Sequence, residues 1–258
     1  DIDATNEQLL DSLNLLENNH LKRAAILLFH HNPEKWIPGA YIKIGYFESD
    51  SELRYQDEIH GSLISQADKV VDLIFTKYLK ADISYQGVTR VETYPFPKEA
   101  IREAVFNAIA HKFYGALIPI QISVYADRIY IANDCIFPED WTINDLMGKH
   151  RSRPYNPLIA NTFFRAGFIE AWGRGIEKIK DSCKEAGNPM PEYTIKCEDI
   201  MVMFKSLVSS LVSLVSYWIN SKQLYSKHII KFLKSRLRKS ILFCSIKDSF
   251  NSTSPCFY

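Results

Sequence analysis

The chain has 258 residues, 47% of them hydrophobic and 24% charged, enough for one large core or two modest ones. A formal net charge of +1 gives no sign of a polyanion partner, and five scattered cysteines without a CxxC pair argue against a zinc knuckle or a disulfide framework. The expectation for Cys135, Cys183, Cys197, Cys244 and Cys256 is the reduced thiol of a cytoplasmic protein.

The chain opens on the polar "DIDATNEQ", with no initiator Met and no signal-peptide pattern, as a fragment would. "TNEQLLDSLNLLE" predicts a capped helix in which Thr5 caps, Gln8 reaches back, and Leu9, Leu10, Leu13 and Leu16 follow helical spacing. "LKRAAILLFHH" predicts a second helix. After the turn signals of "NPEKWIPG", "AYIKIGYFE" alternates as a strand does. "IHGSLISQADKVVDLIFTKYL" has the length and period of a third helix. Two prolines in "VETYPFPKEA" then punctuate the chain, Pro97 standing at a helix start.

Residues 98–114 predict a helix with an unusual stripe. Glu103, Asn107 and His111 are each four residues apart, so a carboxylate, an amide and an imidazole share nearly one ridge beside apolar Ala104, Val105, Ala108 and Ile109. "IPIQISVYADRIYIAND" follows as two strands meeting at Ala126-Asp127-Arg128. "NPLIANTFFRAGF" reads as a helix with Asn156 as cap and Pro157 in its first position, and "WGRGIEKIKDSCKEAG" runs through a glycine pair into a helix closed by Gly187. The order indicates an α+β domain.

The tail differs in kind. Residues 206–258 contain no Gly, Ala or Glu and thirteen Ser, with eight Lys/Arg against Asp248, a net of +7, so the first 205 residues sum to −6. "LYSKHIIKFLKSRLRKSILF" fits a basic amphipathic helix for nucleic acid or an anionic membrane surface. The abrupt change of composition favours the other reading, a break in the reading frame. The apolar run at 207–219 is serine-broken and too short to span a bilayer.

The stripe and the glycines suit a Mg²⁺-bound nucleoside triphosphate. An Asn oxygen supplies one ligand to an ion that keeps its waters, and a Glu one turn earlier activates water. Gly173 and Gly175 let backbone approach phosphates just before a helix N-terminus. No HExxH and no GxxxxGK[ST] occurs, so neither a zincin nor a P-loop helicase motor is indicated.

"PKEAIREAVFNAIAHKFY" resembles the N box of the GHKL (Bergerat-fold) ATPases. With "DRIYIAND" and "YNPLIANTFFRAGFIEAWGRGIEKIKDSCKEAGNPMPEY", residues 90–193 resemble the divergent GHKL-type domain of "RecG-like" transcriptional regulators. "AAILLFHHNPEKWIPGAYIKIGYF" resembles the later part of the Schlafen/AlbA-like DNA-binding region that precedes it. The resemblance implies an α+β GHKL-like helix/sheet sandwich at 89–205, a partial α/β Schlafen/AlbA-like region with a connecting helix at 1–88, and the Ser-rich tail at 206–258.

It also implies ATP and Mg²⁺ as cofactors, DNA as partner, and a homodimer. The roles it implies are Glu103 as water-activating base, Asn107 as Mg²⁺ ligand, His111 near the phosphates, Asn133 at the adenine amino group, and Gly173 and Gly175 in the lid. Arg153, Asn156 and Pro157 match an "RNP" motif that Tyr155 interrupts, and Cys135 replaces a glycine that makes room for the nucleotide. Three functions follow: a nucleotide-responsive DNA-binding regulator, an ATPase with Glu103 as base, or a degenerate scaffold without nucleotide.

Overall fold

A computed structural model describes residues 5–137, 141–148, 150–151, 153–169, 173–196 and 198–206. The expectations for the apolar run at 207–219 and for the basic, frame-broken tail lie outside the described residues. The fold is α+β, built on a mixed sheet of six strands.

Helix α1 (Asn6–Ser12) starts on the expected capping box: Gln8 N–H donates to Thr5 Oγ1 (3.2 Å) and Thr5 N–H to Gln8 Oε1 (2.8 Å). It stops short of the leucine period, because Asn14 adopts φ +56° and Leu16 enters a two-residue strand β1 (Leu16–Glu17) paired with β2 (His20–Leu21). Helix α2 (Arg23–Phe29) follows, then the pair β3 (Ile42–Ser49) and β4 (Glu52–Ile59). β4 escapes a period-based reading because its residues are largely exposed on both faces and carry no apolar alternation.

The third helix is shorter than expected. α3 (Leu63–Leu73) begins after Ser62, whose hydroxyl accepts from Ser65 N–H at 3.3 Å, and widens into a π turn at Ile74–Tyr78. A hairpin β5 (Asp82–Gln86) and β6 (Thr89–Thr93) then turns at Gly87, φ +64°.

Helix α4 (Lys98–His111) packs on β8 and is itself covered by α3, α6 and α7. It ends at His111 and not at 114, since Phe113 N–H leaves the helix to donate to Asp134 O at 2.7 Å. Strands β7 (Ile120–Val124) and β8 (Arg128–Asp134) form the expected hairpin. Short α5 (Ile143–Met147), α6 (Pro157–Arg165) and α7 (Gly175–Glu185) follow, and Gly187 closes α7 at φ +74°. Strands β9 (Glu192–Lys196) and β10 (Asp199–Lys205) complete the sheet in the order β4-β3-β7-β8-β10-β9.

Two pairings organise this sheet. β3 runs parallel to β7, Ile42 opposite Ile120, so strands from both sides of residue 88 share one core of Ile42, Ile44, Ile120, Ile122, Ile129 and Ile131. β10 pairs with β8 throughout, Ile200 opposite Asn133. Among the described residues no helix is long and apolar enough to cross a membrane.

Asn156 departs from its expected role. It holds the N-cap position of α6, but its side chain makes no cap bond there. Its amide donates instead to Ala110 O (3.1 Å) and Lys112 O (2.7 Å), closing the C-terminus of α4. Asn156→Ala is expected to lower unfolding stability by about 1–3 kcal/mol, since Lys112 O loses its amide donor and Ala110 O keeps only the backbone N–H of residue 156. Urea denaturation checks this, and an unchanged midpoint would show that water replaces the amide without cost.

Candidate functional site

The ridge of α4 does not face solvent. Ala100, Ile101, Ala104, Val105, Ala108 and Ile109 are buried around it, Glu103 is only 3% exposed, and Asn107 and His111 are half-buried. The ridge forms one wall of a cavity of about 480 Å³, within the range of small-molecule sites.

All six residues expected at a site line this cavity: Glu103, Asn107 and His111 from α4, Asn133 from β8, and Gly173 and Gly175 at the entry of α7. Cys135, Arg153 and Pro157 line it too. The structure therefore brings together residues from four separate stretches of chain.

The glycines have distinct geometry. Gly173 adopts φ +68°, a left-handed conformation that side chains disfavour. Gly175 is the close approach: a Cβ there would lie 2.7 Å from Glu103 Oε1 and 2.9 Å from Asn107 Nδ2. The start of α7 is thus seated on the Glu103–Asn107 ridge, and α4 and α7 pack along each other. One turn further on, Lys178 Nζ lies 3.6 Å from Glu103 Oε2. The positive end of the α7 dipole also favours a carboxylate at that place.

Asn133 is 6% exposed, and its Nδ2 donates to Asp134 O at 3.0 Å. That bond uses one of the two amide N–H groups and leaves Oδ1 as the acceptor. Beside it, Cys135 is buried, and burial together with Asp199 and Asp134 pushes its thiol up to about 11. It is a neutral thiol at the cavity wall, and neither it nor buried Cys183 is in a disulfide.

Several lining residues carried no sequence signal. Phe137, Trp141 and Tyr155 supply aromatic surface, with Trp141 edge-on to His150 at 5.0 Å between centroids. His150 in turn acts on His111, which burial and the His150 charge push down to about 4. At neutral pH His111 is therefore an uncharged imidazole, offering a hydrogen bond and no charge. Tyr193, from β9, faces the cavity, and burial followed by the charges of Cys183 and Glu103 raises its phenol. Behind the wall, fully buried Lys112 donates to Ile118 O at 2.5 Å, and burial lowers its ammonium against the pull of Asp134.

Among the described lining residues the only Asp, Glu, Lys or Arg side chains are Glu103 and Arg153. No group of three or more His, Cys, Asp or Glu among the described residues converges as a metal site. An Mg²⁺ ion here would take one oxygen from Asn107 and the rest of its shell from phosphate and water, the habit of that ion. The donor set fits an ion that arrives with a nucleotide.

Residues 118–204 match the family model described as "Putative ATP-dependent DNA helicase recG C-terminal". The match supports a RecG-C-terminal-like ATPase-type domain. Asn133, Gly173 and Gly175 fall within the matched span, whereas the α4 ridge lies just before it. No curated protein matches the chain. Among solved structures the chain is similar to the DIP2311 protein from Corynebacterium diphtheriae, with a TM-score of 0.64 and 19% identity over 79% of this chain. That likeness concerns the fold, and the chain spans 41% of that protein's chain.

The His111 shift sets a pH dependence. Its folded value of about 4 lies below the unfolded 6.5, so the unfolded state takes up the proton first. The contribution is full above pH 6.5 and is lost as pH falls from 6.5 toward 4, up to about 3 kcal/mol. His111→Gln should flatten the stability slope between pH 6.5 and 5, read by denaturant unfolding at each pH. An unaltered slope would place the titration elsewhere.

Proposed function

We propose that this chain binds ATP with Mg²⁺ in the α4–α7 cavity and serves as a nucleotide-responsive regulator whose partner is DNA. The observation that carries the reading is the convergence of Glu103, Asn107, His111, Asn133, Gly173 and Gly175 on one cavity. The match of residues 118–204 to an ATPase-type domain supports it from a separate direction.

In this reading the Asn133 Oδ1 acceptor meets the adenine amino group, and the apolar aromatic wall takes the base. Asn107 gives an oxygen to Mg²⁺, which supplies charge compensation for the phosphates. His111, neutral, donates or accepts a single hydrogen bond. The glycine-marked entry of α7 offers backbone N–H groups to phosphate oxygens, and Arg153 adds one permanent positive charge. With so little protein charge in the cavity, phosphate binding depends strongly on the metal.

Hydrolysis is a further step of the same reading. Glu103 is the carboxylate of the ridge and orients or deprotonates the attacking water. It is 3% exposed with Gly175 against it, so the base works only once the start of α7 has moved off the ridge. Occupancy of the site and the position of α7 are then coupled, which is how a ligand biases one arrangement of a protein over another. No P-loop motor motif is present, so the helicase part of the family description is not carried over to this chain.

A thermal-melt titration tests the binding. At ATP and Mg²⁺ near a hundredfold the dissociation constant, stabilisation of about 2.7 kcal/mol is expected. Asn107→Ala should abolish the Mg²⁺-dependent part, and Glu103→Gln should lower phosphate release by roughly 10²–10⁴ while retaining ATP. No shift in the parent protein with Mg²⁺ would overturn the reading.

DNA contact is supported by exposed Arg151 in the basic stretch 149–153 and by the resemblance of residues 24–47 to a DNA-binding region. If phosphate contacts dominate, DNA affinity falls steeply with salt, and Arg151→Ala reduces that slope by about one. A flat salt profile in an electrophoretic or anisotropy assay would discard DNA as the partner.

A further inference from the structure

Glu103 occupies the position that an anionic ligand of α7 would take. Its Oε1 lies where a Cβ of Gly175 would approach within 2.7 Å, at the first residue of an eleven-residue helix. Its Oε2 faces Lys178 Nζ at 3.6 Å. Gly175 and Lys178 are three residues apart and so share one face of α7, the face turned to α4. One carboxylate oxygen is thus ion-paired with Lys178 of α7, and the other lies close against the first residue of the same helix. Lys178 keeps 30% of its side chain exposed, whereas Glu103 keeps 3%, so the ammonium is the member of the pair free to swing.

We propose that Lys178 is the residue through which the site tells a nucleoside triphosphate from a diphosphate, by exchanging Glu103 for the terminal phosphate. The inference rests on the reading of the cavity as an ATP site and adds a specificity-determining residue to it. In the resting protein Lys178 and the start of α7 hold the carboxylate as an internal anion, which keeps Glu103 from water. A terminal phosphate carries more charge than a carboxylate and competes for the same ammonium. Winning it removes one of the contacts that seat α7 on the ridge and leaves Glu103 open to a water molecule. Gly173, already at φ +68°, is the point of the chain best able to absorb the change of backbone angle. A diphosphate lacks the competing group and leaves the pair in place.

The test is equilibrium titration with ATP and ADP in Mg²⁺, following binding calorimetrically, on the parent chain and on Lys178→Met, Lys178→Arg and Glu103→Gln. The parent is expected to prefer ATP by tenfold or more, on the order of one charge-assisted hydrogen bond. Lys178→Met should lose most of that preference by weakening ATP while ADP stays within about twofold. Lys178→Arg should keep it. Glu103→Gln should tighten ATP several-fold, because the ammonium no longer has a rival anion; a purely structural ion pair predicts no gain. Equal effects of Lys178→Met on ATP and ADP, or an unchanged ratio, would overturn the role of Lys178 while leaving the ATP site standing. Failure of the parent to bind either nucleotide would overturn both.

Discussion

The contact between the first residue of α7 and the Glu103–Asn107 ridge of α4 is the constraint on which the rest of the site depends. Two helices ordinarily keep their axes about 8–10 Å apart because side chains stand between them. At Gly175 only α4 contributes side chains to the contact, and a single added carbon would press on those of Glu103 and Asn107 at under 3 Å. This close seating puts a helix terminus beside a buried carboxylate. It also creates the cavity, whose two walls are the ridge and the glycine-marked turn, with β8 and β10 below through Asn133, Ile131, Ile200 and Val202.

The electrostatics follow from that packing. Carboxylate, imidazole and thiol all sit where solvent is scarce, so each is governed by its immediate neighbour. Glu103 has the α7 terminus and Lys178, His111 stays neutral against His150, and the Cys135 thiol stays protonated between Asp134 and Asp199. The wall is mostly apolar with few fixed charges. In the proposed ATP complex such a surface would take the base, and the metal and the helix terminus would take the phosphates.

The sheet ties this site to the earlier part of the chain. Because β3 pairs in parallel with β7, and β7 with β8, the hairpin of residues 42–59 shares a hydrogen-bonded platform with the strand that bears Asn133. Asn156 and Lys112 anchor the end of α4 by bonds to carbonyls at 110, 112 and 118. In the proposed mechanism, displacement of α7 would act against a ridge that is fixed at its far end.

The stripe at 103, 107 and 111 was legible from the chain alone, because helical spacing converts sequence separation directly into a shared face. So were the Thr5 capping box, the β7–β8 hairpin and the left-handed glycine after α7, each set by contacts within a few residues. The exposed edge strand β4, the hairpin around Gly87 and the pair β9–β10 were not: β4 and the Gly87 hairpin are exposed and carry weak alternation, and β10 takes its place in the sheet by pairing with β8, about seventy residues earlier. Asn156 shows the same division at one residue: its position before Pro157 was local information, whereas the carbonyls its amide bonds belong to another helix. That Glu103 is sealed by Gly175 and faced by Lys178 was beyond any reading of spacing, because those contacts join residues more than seventy positions apart and exist only once α4 and α7 have packed.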